Sequence, residues 1–112
     1  MLSVDMGAVT LVARGNEQLF SVGDVIDCAV RAEQIALLEK EDARFDNTVS
    51  GVVRQRIFEG DRMVYEIHVA DMDGSSVYVF DHDPEKHGEH EVGASVRLGW
   101  NAEVFYAFPV VE

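Results

Sequence analysis

Asp81-His82-Asp83, His87 and His90 lie within ten residues of one another. Imidazole combined with carboxylate is a donor set that suits zinc or nickel. The run lacks the fixed histidine spacing of a helical site and has no cysteine partner, so it reads as a solvated acidic loop with a metal site as the rival. His68 falls on the polar parity of a strand and reads as a surface residue. Asp71 and Asp73 are close neighbours, but twenty-one acidic residues make such pairs common. Carboxylate-pair hydrolysis needs two such groups held by a deep cleft, which a small barrel seldom provides. No serine–histidine or cysteine–histidine motif is present, and no catalytic, metal or cofactor-binding residue is assigned. Glu33 and Glu103 are of more interest, because each directly follows a strand. One reading is a polar turn residue that satisfies nearby backbone N–H groups. The other is a contact with a neighbouring lobe, subunit or ligand, and Arg31 belongs to the same set.

Composition limits the classes of partner. The formal charge of −12 repels nucleic-acid phosphates, and the nine basic residues are scattered, the closest group being Arg54 and Arg56 on one strand face. The same charge disfavours an anionic membrane surface and favours solubility. No apolar run approaches the roughly 20 residues needed to cross a bilayer, and no basic segment with an apolar core opens the chain. The lone Cys28 cannot form an internal disulfide, and its strand parity reads as buried and reduced, which fits a cytosolic setting.

The elements that must position these residues are strands. From Gly60 to Phe80, Met63, Tyr65, Ile67 and Val69 share one parity, against Arg62, Glu66 and His68, with Val64 the exception. A period of two predicts a half-buried strand. Asp71 to Ser75 supplies turn chemistry, and Val77 to Phe80 returns as the second strand of a hairpin. Earlier, Met1 to Gly7 carries little pattern. Val9, Leu11 and Ala13 predict a strand, Gly15-Asn16 a turn, Glu17 to Phe20 a short return strand, and Ile26, Cys28 and Val30 the buried side of another. Ala32 to Arg44 is ambiguous, since its residues favour a helix while a turn followed by a strand at Ile35 to Glu39 also fits. Lys40 to Asp46 reads as a solvated link. Asn47 to Phe58 predicts a long strand with Val49, Val53 and Ile57 on one face and a bulge or bend at Gly51. After the polar loop His82 to Glu91, Val96, Leu98 and Trp100 mark a strand with Trp100 as core anchor. Asn101-Ala102 turns into a last strand ending at Pro109.

The two halves resemble each other. Val22-Gly23 and Val92-Gly93 each open a strand, Ile26, Cys28 and Val30 match Val96, Leu98 and Trp100, and Ala32-Glu33 recurs as Ala102-Glu103. A hairpin precedes each copy, turned at Gly15 in the first and at Gly74 in the second. The expected fold is therefore all-β, two related lobes of short antiparallel strands in a closed barrel. Residues 1–46 form the first lobe and residues 47–112 the second, sharing one core.

Several of these residues carry a family resemblance. Val30-Arg31-Ala32-Glu33-Gln34-Ile35-Ala36-Leu37 resembles the Val-Arg-Pro-Glu-x-Ile-x-Leu element in the C-terminal regulatory region of ABC importer ATPase subunits. Gly60-Asp61-Arg62 through Tyr65, with Gly74 and Val79, resembles the central hairpin of their transport-associated OB (TOBE) domain. Gly93 and Val96-Arg97-Leu98-Gly99-Trp100-Asn101-Ala102-Glu103 resemble its closing Gly-x-x-Val-x-Leu-x-Trp-Asp-Pro-Glu. Ala32 and Ala102 depart from the family by replacing prolines. The resemblance is closest to the polyamine, ferric-ion and sugar importer branch.

The resemblance implies an OB-fold-like antiparallel barrel of two fused OB-like lobes, MOP-like in arrangement, and a turn then strand at Ile35 to Leu38. It also implies a cytoplasmic regulatory domain that acts on closure of the ATPase pair without chemistry of its own. Its partners would be the ATPase domain and a regulatory-domain mate in a homodimer, with the permease subunits indirectly. No phosphate-binding Gly-x-x-x-x-Gly-Lys-Ser/Thr loop occurs in the chain, so ATP binding is not expected. A stand-alone protein binding a small ligand or metal is the alternative, since the fold has oxyanion-binding relatives.

Overall fold

The computed structural model describes residues 1–38 and 44–110, with the side chains of all but residues 86 and 87. Among the described residues nine strands form in chain order: β1 (Leu2–Met6), β2 (Val9–Ala13), β3 (Ile26–Ala29), β4 (Ala36–Leu38), β5 (Asn47–Glu59), β6 (Arg62–Val69), β7 (Ser75–Asp81), β8 (Ser95–Trp100) and β9 (Tyr106–Pro109). One single-turn α-helix, Pro84–His87, interrupts the polar loop. Every strand pair among the described residues is antiparallel, and the fold is all-β, as expected.

The hairpin of β6 and β7 follows the period-two rule. Tyr65, Ile67 and Val69 are 0% exposed and Met63 is 5% exposed, all on the inner face. Val64 breaks the pattern for a local reason. It pairs with Ile57 on one side and Phe80 on the other, and the Arg62 guanidinium covers the Phe80 ring at 4.0 Å. A small apolar row on the outer face thus buries Val64. The chain reverses through Asp73 and Gly74, both left-handed at φ 60 and φ 74, where glycine carries no steric cost.

Strand order in the main sheet is β4-β8-β5-β6-β7. Its long strand carries a bulge, but at Arg54 rather than Gly51. Val53 faces Ile67 and Gln55 faces Glu66, so one residue is extra. That shift reverses the parity beyond it. Ile57 consequently leaves the face of Val49 and Val53 and is 53% exposed. Arg56 comes opposite Tyr65 instead of sharing an outer face with Arg54. Gly51 stays in regular pairing with Val96. It is glycine for space, because a Cβ there would lie 2.5 Å from Ile67 Cγ2 and 2.9 Å from the His68 carbonyl oxygen.

The N-terminal third corrects two expectations. Leu2–Met6 is a strand despite its weak pattern, and it pairs with β2 through a turn at Gly7-Ala8, so the first hairpin is not turned at Gly15. Gly7 sits at φ +64 and packs so closely on the Ala70–Met72 turn that a Cβ would meet Asp71 O at 2.6 Å. The Ala8 N–H also donates to Asp71 O at 2.7 Å. Glu17–Leu19 is a 3-10 turn rather than a return strand. Asn16 accepts from the Gln18 N–H at 3.0 Å, a side-chain cap that outcompetes strand geometry.

Within Ala32 to Arg44 the described part is a 3-10 turn, Ala32–Gln34, followed by β4. Residues 39–43, which hold much of the proposed helix and link, lie outside the described residues. Ile35 is 5% exposed, and its burial rewards the turn-and-strand path over helix propensity. β4 then covers the edge of β8, with Ala36 opposite Gly99 and Leu38 opposite Arg97.

Candidate functional site

The two copies of the repeat are bound to each other. β3 pairs with β9 and β4 pairs with β8, so each strand before a turn meets the strand after the other turn. One register runs through both ladders: ten residues on from Ile26 and ten back from Pro109 stand Ala36 and Gly99, which are also partners. The turns Ala32–Gln34 and Ala102–Val104 therefore face each other about a local pseudo-two-fold axis. Their backbones match. Arg31 and Asn101 enter with extended geometry, and the Ile35 and Phe105 N–H groups close onto the Ala32 and Ala102 carbonyls. The exchange continues beyond the turns, since Ala32–Gln34 packs on β7 and Ala102–Val104 packs on β2. Arg14 ties β2 to β9, its N–H donating to Phe105 O at 2.7 Å and its carbonyl accepting from the Ala107 N–H at 2.9 Å.

Glu33 and Glu103 occupy the same position of these turns, and both are exposed. Arg31 is exposed as well, with its guanidinium 4.0 Å from the Glu33 carboxylate. Such an open pair holds little energy. The carboxylate that takes the Ala102 N–H is that of Asp46, at 2.9 Å, while the Asp46 N–H donates to Asn101 Oδ1 at 3.2 Å. Beside the second turn, Tyr106 and Phe108 stand half-exposed on β9, their rings stacked at 6.5 Å, with Arg14 5.7 Å from the Tyr106 ring.

The histidine run does not converge. Asp81 is buried at the end of β7, where its Oδ1 accepts from the Asp83 N–H at 3.0 Å. His82 and Asp83 are exposed, and the His87 side chain lies outside the described set. His90 turns back on the barrel, its N–H donating to Tyr65 Oη at 3.1 Å and its ring edge-on to Tyr65 at 5.6 Å. Among the described residues no group of three or more His, Cys, Asp or Glu could hold a metal ion. His68 is only half-buried, yet its Nδ1 is enclosed without a partner among the described residues.

The segment from β3 through both turns to β9 is also the part of the chain that a known family covers. The TOBE domain family model matches residues 28–108. The chain belongs to the TOBE domain family. Among solved structures, the cytoplasmic molybdate-binding protein ModG, in a PEG-grown form with molybdate bound, is similar with a TM-score of 0.66. Identity to it is 16%, over 82% of this chain and 67% of that one, which shows a shared fold. No match is found among curated protein sequences. No helix among the described residues of this TOBE domain is long and apolar enough to cross a membrane.

The TOBE domain rests on residues that its motifs do not mark. Asn47 is 2% exposed and its amide acts as a strand partner. Val12 N–H donates to its Oδ1 at 2.7 Å, and its Nδ2 donates to Val12 O at 2.9 Å. Arg56 holds the loop after the α-helix through Glu89 at 3.3 Å, Glu91 at 3.6 Å and the His90 carbonyl at 3.3 Å. A polar residue at the first position of a long strand was a signal for Asn47. For Arg56 there was none, because the bulge that aims it is set by pairing.

Cys28 proves half-buried rather than buried. Burial, helped by the neighbouring Asp27 carboxylate, pushes its thiol above the usual value. The folded chain therefore keeps this proton to higher pH than the unfolded chain. The resulting stability is full below the ordinary thiol range and is lost as pH rises through the raised value. Cys28→Ser should lack this loss when urea midpoints are compared between about pH 8 and about pH 10.

Proposed function

We propose that this TOBE domain is a non-catalytic regulatory module of an ABC importer ATPase subunit, in the polyamine, ferric-ion and sugar branch, working on the cytoplasmic side. The family match across both repeat turns carries this reading. Such a module acts by preferring one arrangement of the paired ATPase subunits. A preference of about 1–2 kcal/mol shifts two populations roughly five- to thirty-fold. Its mate would be the same domain on the second subunit, with the permease affected indirectly. Arg31, Glu33 and Glu103 at the repeat turns, and the half-exposed Tyr106 and Phe108 rings beside the second turn, are the residues assigned to that contact. Interfaces favour aromatic and arginine residues over isolated charges.

The test is co-purification. The tagged gene product, recovered from gently solubilised membranes, is expected to carry an ATP-binding subunit and a permease. Recovery of the product free of both would overturn the reading. Tyr106→Ser combined with Phe108→Ser should weaken mate association while changing stability by no more than about 1 kcal/mol, as both rings are exposed. The isolated chain should show no ATP binding by calorimetry, having no phosphate-binding loop.

A second reading, a small-ligand-binding protein, is favoured by the likeness to molybdate-bound ModG. The charge of −12 opposes an oxyanion ligand. Retention of molybdate after dialysis would support this second reading over the first.

A further inference from the structure

The repeat leaves one strand without a counterpart. In the second half of the chain β5 lies between β8 and β6 and pairs with both. β3 matches β8, since Ile26 and Cys28 recur as Val96 and Leu98, and Asp27 faces Phe108 as Arg97 faces Leu38. β1 and β2 match β6 and β7. Each hairpin leads into the loop before these strands, and the opposite repeat turn packs on its second strand. A counterpart of β5 would therefore lie between β3 and β1. Among the described residues no strand does so, for β1 pairs with β2 alone and β3 with β9 alone.

An opening of about 650 Å³ lies there, lined by Leu2, Val4 and Met6 of β1, by Ile26 and Cys28 of β3, and by Phe20. Burial shows what β5 does for the matching strands. Val96 is 7% and Leu98 0% exposed, whereas Ile26 and Cys28 are only half-buried. Tyr65 and Ile67 are 0% exposed, whereas Leu2 and Met6 are half-buried. A strand with one neighbour also turns the N–H and C=O groups of alternate residues away from it, unpaired. The rim is acidic: Asp5, Asp24 and Glu17 line the opening and no Lys, Arg or His side chain does. Asp5 of β1 and Asp27 of β3 are both exposed, on the parity opposite the apolar residues.

We propose that this slot receives one extended strand of a partner polypeptide, which pairs with the free edges of β1 and β3. Its inward residues are small and apolar, as Val49, Gly51 and Val53 are in β5. Its outward residues are basic, because cross-strand neighbours on that face include Asp5 and Asp27. A second copy of this chain brings a further charge of −12 and is repelled. The slot is independent of both the importer and the molybdate readings.

The probe is a capped Lys-Val-Lys-Val-Lys-Val-Lys peptide titrated into isotope-labelled protein at low salt. Saturable shifts and slowed hydrogen exchange are expected at the amides of β1 and β3. The same peptide N-methylated at its three valines keeps charge and alternation but loses the donors along one edge, and should bind at least about tenfold more weakly. Asp5→Asn combined with Asp27→Asn should weaken the unmodified peptide roughly two- to tenfold, both groups being exposed. Equal binding of the N-methylated peptide overturns the proposal, since attraction by charge alone explains it. So does equal binding of a Glu-Val peptide of the same length, or the absence of saturable shifts in β1 and β3 up to millimolar peptide. Exchange protection of the outward β1 and β3 amides before any peptide is added also overturns it, because a second copy or another segment then already fills the slot.

Discussion

Trp100→Ala is expected to lower stability by about 3–5 kcal/mol, the usual cost of deleting a buried large aromatic. Trp100 is 0% exposed and ends β8, where the second repeat turn begins. Its ring meets Phe105 edge-on at 5.6 Å, so truncation removes the contact that seats Phe105 after the turn. Asn47 is its register partner on β5. Total stability of a small domain is about 5–15 kcal/mol, so the variant should sit near its unfolding midpoint at low denaturant. Because the only tryptophan is lost, far-UV circular dichroism in urea is the suitable measurement. A midpoint within about 1 kcal/mol of the wild-type value would show that the barrel does not depend on the indole.

Asn47→Leu should cost roughly 2–4 kcal/mol although it adds apolar volume to a core position. It removes both hydrogen bonds to Val12 and strands a backbone N–H and a carbonyl in a part-buried place. Each such group costs about 1–3 kcal/mol. Asn47→Asp separates the two bonds. Its carboxylate can still accept from the Val12 N–H, but it opposes the Val12 carbonyl and is buried, which raises its folded pKa. Stability from the protonated form is then present at low pH and lost as pH rises through that value. Relative to wild type, this variant should be most destabilised near neutrality and partly recover toward about pH 4. A pH-independent difference would mean that Nδ2 contributes nothing to the link between β2 and β5. Asn47 and Trp100 are neighbours in the register, so their substitutions should not add.

Both residues show which information is local. Alternation of side chains is a property of any extended segment, so the inward sets Met63, Tyr65, Ile67, Val69 and Val96, Leu98, Trp100 were legible from composition and spacing alone. The turn at Asp73-Gly74 was legible for the same reason, since its backbone conformation restricts residue type on the spot. The repeat was readable too, through Ala32-Glu33 and Ala102-Glu103.

What only the tertiary structure decided depends on partners distant in sequence. The bulge at Arg54 exists because β6 holds a register that β5 meets with one residue too many, and it alone sends Ile57 outward and Arg56 toward Tyr65. The Leu2–Met6 strand has weak alternation and forms because β2 offers a ladder. Helix formers after Ala32 yield to a turn and strand because Ile35 is buried and β8 takes β4 at its edge. The cross-pairing of the repeat copies follows from the same cause: backbone groups and apolar faces are satisfied between segments, so no single segment encodes where they meet.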